Sequence, residues 1–237
     1  MTKKINTKLL KLIKYYNLIN YNLIYDNQSI NRYKKNKKNI SGNKEELLKK
    51  LENSIENIKN CELKKNATDI VFADGHPDSK IMLVAEGPGA NEDEEGLPFL
   101  GRAGQLLDKM LKSINLSRDN VYITNVVNYR PPDNRRPTDE EIKRYSPYLK
   151  EHIEIINPKI LILLGSTALN AIFDNKDVIS KVRGKWLEKK IGTCNAFVIA
   201  SFHPAFLMRQ PEQKKLAWID LKTIKKKILE LKIKLEK

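Results

Sequence analysis

The sequence predicts an α/β protein, a three-layer α/β/α sandwich with a central four-stranded parallel sheet. Four short apolar runs, Ile81–Ala85, Val121–Val127, Ile160–Leu164 and Ala196–Ala200, have strand length and end in turn or polar residues. Helical patterns lie between them, at Gly104–Ile114, Thr138–Ile156 and Ser166–Phe173. Alternating strand and helix with short connections is the pattern of a parallel sheet covered on both faces. Polar motifs follow three of the four runs, and such sheets bind ligands beyond the carboxyl ends of their strands.

Residues 1 to about 42 are low in complexity and carry the basic cluster Arg32-Tyr33-Lys34-Lys35-Asn36-Lys37-Lys38. They read as a mobile basic extension. Asn, Lys and Tyr interrupt it too often for a signal segment or a membrane span. The folded domain is expected over 43–237. Asn43-Lys44-Glu45-Glu46 opens an amphipathic helix with Leu47, Leu48, Leu51, Ile55 and Ile58 near helical spacing. Glu212–Lys237 closes the chain as a long helix, with Leu216, Ile219, Ile224, Ile228, Leu231 and Leu235 as its packing stripe.

A length of 237 residues suits one domain with appendages. The net charge of +15, from 44 Lys and Arg against 29 Asp and Glu, points to a polyanionic partner. Lys, Asn, Ile and Tyr are abundant throughout, a bias that genome composition alone would also produce. Two cysteines, Cys61 and Cys194, cannot build a disulfide framework or a four-ligand metal site. Reduced thiols in a cytoplasmic, monomeric protein are the expectation.

The first motif runs from Glu86-Gly87-Pro88-Gly89 through the acids Glu92 to Glu95 to Pro98-Phe99-Leu100-Gly101. Glycines at a strand end let a ligand approach the backbone closely. The loop lacks the Lys-Ser/Thr of a phosphate-binding loop, and its acids repel phosphate. After the second run, Asn125 can offer a donor and an acceptor to one planar edge of a base. The stiff cationic segment Arg130-Pro131-Pro132-Asp133-Asn134-Arg135-Arg136-Pro137 follows it. After the fourth run comes Ser201-Phe202-His203-Pro204. Of the three histidines, His152 sits in a helical pattern and His76 in a loop, leaving His203 placed for catalysis.

Each motif is weak alone, but the ordered set resembles the family 4 uracil-DNA glycosylases, over roughly Cys61 to Trp218. The resemblance implies that Glu86 and Gly87 shape a uracil pocket and that Phe99 stacks on the extruded base. It implies that Asn125 bonds the uracil O4 and N3–H edge. Glu92, six residues after Glu86, would hold or activate the hydrolytic water, and His203 would donate to uracil O2. DNA containing uracil is the implied partner, with Arg130, Arg135, Arg136 and Arg209 toward its backbone. Phe206 or Leu207 would wedge the base stack. An enzyme working on a base in duplex DNA must flip it out, read its edge and stack its face.

The chain departs from that family in two places. Many members hold a [4Fe–4S] cluster on four cysteines, but here only Cys61 matches, with Lys64, Tyr129 and Tyr145 at the other positions. One thiolate cannot retain such a cluster, so no cofactor and no metal are expected, and the tyrosines should pack the region instead. Ala85 also replaces the family's leading glycine. Two rivals stand beside the main expectation: a glycosylase for another deaminated base, hypoxanthine or xanthine, and a DNA-binding relative without catalysis.

Overall fold

The computed structural model describes residues 42–173 and 178–235. The expected mobile extension, Gly42 apart, lies outside the described residues. Helix α1 (Gly42–Glu56) and the short α2 (Glu62–Asn66) precede strands β1 (Ala73–Gly75) and β2 (Ile81–Ala85). Helices α3 (Ala90–Glu95) and α4 (Arg102–Ser113), strand β3 (Tyr122–Asn125) and the long α5 (Asp139–Ile156) follow. Then come β4 (Ile160–Leu164), α6 (Ser166–Phe173), α7 (Ile179–Val182), β5 (Trp186–Ile191), β6 (Cys194–Ser201), α8 (Pro204–Arg209) and α9 (Lys214–Glu230).

The sheet has six strands in the order β1-β3-β2-β4-β6-β5. The four apolar runs form its parallel centre, β3-β2-β4-β6. The expected four-stranded sheet is therefore extended by β1 and β5, each antiparallel to its neighbour. Neither edge strand has a clean sequence signature. β1 spans three residues, and β5 reads Trp-Leu-Glu-Lys-Lys-Ile, a charged strand of the kind that protects a sheet edge.

Side chains alternate across a strand, so the parallel centre buries both faces. Met82, Val84, Leu161, Leu163 and Val198 face a core shared with α1, α5 and α6. Ile81, Leu83, Ile160, Ile162 and Ile199 face a second core shared with α4 and α9. Those two cores make the three layers. Helix α5 starts where its sequence says: Thr138 Oγ1 accepts from the Glu141 N–H at 3.2 Å, while the Glu141 carboxylate accepts from the Thr138 N–H at 2.7 Å.

The last helix differs from expectation in length and in facing. It stops at Glu230, and its buried residues are Ala217, Asp220, Leu221, Ile224 and Ile228. Leu216 and Ile219 are 38% and 51% exposed. Ile224 and Ile228 of the expected stripe are buried, and Leu231 and Leu235 pack against the same core. In the first turns the buried face shifts to Ala217, Asp220 and Leu221, because Asp220, fully buried, pairs with Arg183 and accepts from the Ser201 hydroxyl at 2.7 Å. A buried carboxylate must be paired, and that requirement outranks the apolar spacing. Among the described residues no helix is long and apolar enough to cross a membrane.

Candidate active site

The motifs meet at the carboxyl edge of the parallel strands, around a cavity of about 190 Å³. Glu86, Gly87, Glu92, Phe99, Asn125 and His203 all line it, together with Pro131, Asn134 and Arg135 of the cationic loop. This volume falls below the roughly 300–1,000 Å³ of sites for larger ligands, and suits a single flat ring.

Strand β2 ends at Ala85, directly opposite Asn125 of β3. A Cβ at Gly87 would lie 2.8 Å from Val127 Cγ2, so only glycine lets the backbone pass this close to β3's extension. Glu92 occupies the first turn of α3. Its Oε2 accepts from the Gly89 N–H at 3.1 Å, and its Oε1 accepts from Leu100 and Gly101 at 2.8 and 2.9 Å. One carboxylate thus clips the Gly-Pro-Gly loop to the Phe99 loop.

Phe99 is buried with φ +60, a conformation bulky L-residues rarely adopt. Its ring stacks on His203, centroids 5.6 Å apart and planes inclined by 25°. Asn125 is 4% exposed, and among the described residues no group hydrogen-bonds its side-chain amide. Its donor and acceptor are therefore available to whatever fills the cavity.

His203 caps α8, its Nδ1 accepting from the Ala205 N–H at 3.1 Å. That bond requires an unprotonated Nδ1 and leaves the proton of the neutral ring on Nε2. Burial, helped by the positive charge of Arg209 and opposed by Glu92, pulls the His203 pKa down to about 4. At neutral pH the site therefore holds an uncharged imidazole with one N–H to donate.

Glu86 accepts from the Thr167 hydroxyl and lies 3.6 Å from Arg136 Nε. Arg136 also donates to Thr167 Oγ1 at 2.9 Å and to Ser166 Oγ at 3.0 Å. The other cationic side chains are partly engaged as well. Arg130 donates to Asn134 at 2.8 Å, and Arg135 grips Glu141 with two bonds of 2.8 and 2.7 Å. Arg209 is exposed. Phe206 is half-buried against Phe202, ring centroids 4.9 Å apart. The expectation that Leu207 could wedge a base stack is corrected. It is 1% exposed and belongs to the core beneath α8, so it serves packing.

Three contributors carry no sequence signal. Thr167 fixes Glu86. Asp220 fixes Ser201, two residues before His203. Arg118, in an ordinary polar turn, donates to the Pro98 carbonyl at 3.0 Å and to the Phe99 carbonyl. Away from the cavity, the buried Cys61 Sγ lies 3.3 Å from the Tyr145 hydroxyl, with the buried Tyr129 in the same core. Burial is the main force raising both phenols, Tyr129 to about 12, so both stay protonated. Lys64 is exposed and donates to the Glu56 carbonyl. Among the described residues no group of three or more His, Cys, Asp or Glu is arranged to hold a metal ion.

A sheet with a parallel centre covered on both faces, and a small, mainly apolar cavity at its carboxyl edge into which Asn125 and His203 face, defines an α/β protein with a site for one small ligand. The family model of the uracil DNA glycosylase superfamily matches residues 72–222, which include every cavity-lining residue, and the chain belongs to that superfamily. It is 43% identical over 183 residues to the type-4 uracil-DNA glycosylase of Sulfurisphaera tokodaii, covering 75% of this chain and 83% of that one. The type-4 uracil-DNA glycosylase of Thermotoga maritima is 44% identical over 170 residues, 70% of this chain and 85% of its own. That of Archaeoglobus fulgidus is 39% identical over 183 residues, 76% and 92% of the two chains.

Proposed function

We propose that this chain is a uracil-DNA glycosylase that hydrolyses the N-glycosidic bond of deoxyuridine in DNA and leaves an abasic site, the opening step of base excision repair. The observation that carries the reading is the pairing, in one ring-sized cavity, of a free Asn125 amide with a neutral His203 that has one N–H to give. Uracil presents O4 and N3–H, which the Asn125 amide matches in one orientation, whereas cytosine presents an amine and a bare nitrogen, which that orientation leaves unpaired. Leaving such groups unpaired discriminates by roughly 10⁴-fold. Phe99 supplies the stacking face, and Glu86 with Gly87 walls the ring.

As the bond from C1′ to the base nitrogen breaks, its electron pair moves onto the uracil, and charge gathers at O2. The His203 Nε2–H donates there, a contribution of about 3 kcal/mol for one well-aimed donor. The sugar becomes electron-poor, and water adds at C1′, giving its proton to the Glu92 carboxylate, from which it passes through solvent to the departing uracil anion. A carboxylate has about four acceptor positions, and the three backbone bonds use both on Oε1 and one on Oε2 of Glu92. The remaining position on Oε2 holds the water, and the negative charge offsets that on the sugar.

The family's [4Fe–4S] cluster does not fit the residues present. One thiol, two protonated phenols and an exposed lysine are not four thiolates. The buried Cys61–Tyr145 contact and the Tyr129 ring fill that region instead. The purified protein is expected to be colourless, with no absorbance near about 400 nm; stoichiometric iron and sulfide would refute this. The DNA path runs past Arg130, Arg136 and Arg209, with Phe206 as the candidate wedge. Two free, buried cysteines accord with a reducing compartment, and the protein is taken to act as a monomer in the cytoplasm.

The test is incubation, in EDTA, with oligonucleotides carrying uracil, hypoxanthine or no lesion, followed by alkaline cleavage of abasic sites. Strand scission confined to the uracil substrate is expected. Scission only at hypoxanthine, or none at high enzyme concentration, overturns the reading.

A further inference from the structure

Phe99 has a backbone conformation it does not favour, and something must hold it there. Two features do so. From below, Gly104 packs so closely that a Cβ on it would lie 1.7 Å from the Phe99 carbonyl oxygen. From the side, Arg118 reaches in from the turn before β3. Its Nη2 donates to the Phe99 carbonyl and its Nη1 to the Pro98 carbonyl at 3.0 Å. The guanidinium is itself aimed by two carboxylates, Asp108 of α4 at 2.8 Å from Nε and Asp74 of β1 at 3.0 Å from Nη1. The Arg118 side chain is 22% exposed and the Asp74 side chain 10%.

Hydrogen bonds to its two carboxylates, and their charge, raise the Arg118 pKa despite its burial. A permanent cation with a rigid planar fork can hold two carbonyls and two carboxylates at once, which lysine cannot. The stacked contact between Phe99 and His203 passes any displacement of that backbone to the imidazole.

We propose that Arg118 is a positioning residue for excision: it sets the plane of the Phe99 ring, and through it the ring of His203, without touching the base. The proposal rests on the reading of Phe99 as the stacking platform. A guanidinium that merely ties β1 to α4 would stabilise the fold and leave the chemistry of folded enzyme unchanged.

A double-mutant cycle on single-turnover excision from a uracil-containing single strand separates the two. Arg118→Gln should lower kcat/KM by about tenfold or more, the value of one or two well-made hydrogen bonds. The Kd for an undamaged strand should stay within about twofold. Combined with Phe99→Leu, the losses should be clearly less than multiplicative, because both changes remove one shared arrangement.

Parental kcat/KM in folded Arg118→Gln, or losses that multiply, overturns the proposal. If that variant does not fold, Arg118→Lys takes its place, since it keeps the charge but cannot span both carbonyls. A parental rate in Phe99→Leu would instead remove the stacking reading itself, a result distinct from failure of the Arg118 arm alone.

Discussion

Replacing Glu92 by Gln leaves the shape of the side chain almost unchanged but acts on three hydrogen bonds at once. The amide oxygen would settle where two donors converge, Leu100 and Gly101 at 2.8 and 2.9 Å. The amide nitrogen then faces the Gly89 N–H, donor against donor, where the carboxylate accepted at 3.1 Å. Bonds to a charged acceptor contribute about 1.5–3 kcal/mol and neutral ones about 0.5–1.5, so the two surviving bonds lose about 1 kcal/mol each. The third is lost outright, and water at this partly exposed site returns some of the total. Destabilisation of about 3 kcal/mol is expected, read as a lower urea midpoint with unchanged slope. Excision by the folded variant should slow by about 10²-fold, because a neutral amide neither holds the water as well nor offsets charge on the sugar. Stability within about 0.5 kcal/mol of the parent would refute the clip between the two loops. Full activity in a destabilised variant would leave the clip and refute the role in water placement.

Because His203 is already neutral well above its pKa of about 4, kcat/KM should show no inflection from it between about pH 6 and 8. An imidazole inflection near pH 6.5 would refute the depressed value. His152, buried against Tyr122 with its Nε2 2.8 Å from the hydroxyl, has its pKa pulled down to about 3 by burial. The unfolded chain takes up this proton first, so stability should fall as pH drops from about 6.5 toward 3, by up to about 1.4 kcal/mol per pH unit. His152→Gln should make that part of the profile shallower in urea titrations, leaving the share that His203 contributes above about pH 4. Gly104→Ala drives a methyl into the Phe99 carbonyl, a backbone clash no side-chain rotation relieves. A loss of about 3 kcal/mol or more in stability, with excision abolished, is expected from thermal unfolding and activity together.

The parallel centre was legible because fully buried strands must be continuously apolar, as in Ile-Met-Leu-Val-Ala and Ile-Leu-Ile-Leu-Leu. The edges were not, since β5 meets solvent on its outer side and carries Glu188, Lys189 and Lys190. Apolar spacing placed Ile224 and Ile228 of α9 in the core but misplaced its first turns, because Asp220 turns inward to meet Arg183, a partner far away in sequence. The same blindness applies to Leu207, whose neighbours are strands and helices rather than solvent. In the cavity, the residues that face the ligand carried local signals: a glycine pair, an asparagine closing a strand, a His-Pro step. Arg118 and Thr167 act through contacts to residues 19 and 81 positions away, and such pairings leave no periodic trace.

Every residue lining the cavity precedes α8's second turn, yet the loop bearing His203 leans on Asp220 in α9. A ribosome that has released the chain only through Arg209 has delivered a complete set of active-site side chains without their last support. Ser201 and Arg183 then lack the carboxylate that anchors them, and one face of the sheet is bare of Leu221, Ile224 and Ile228. The loop that carries His203 therefore gains its last support when the final helix docks.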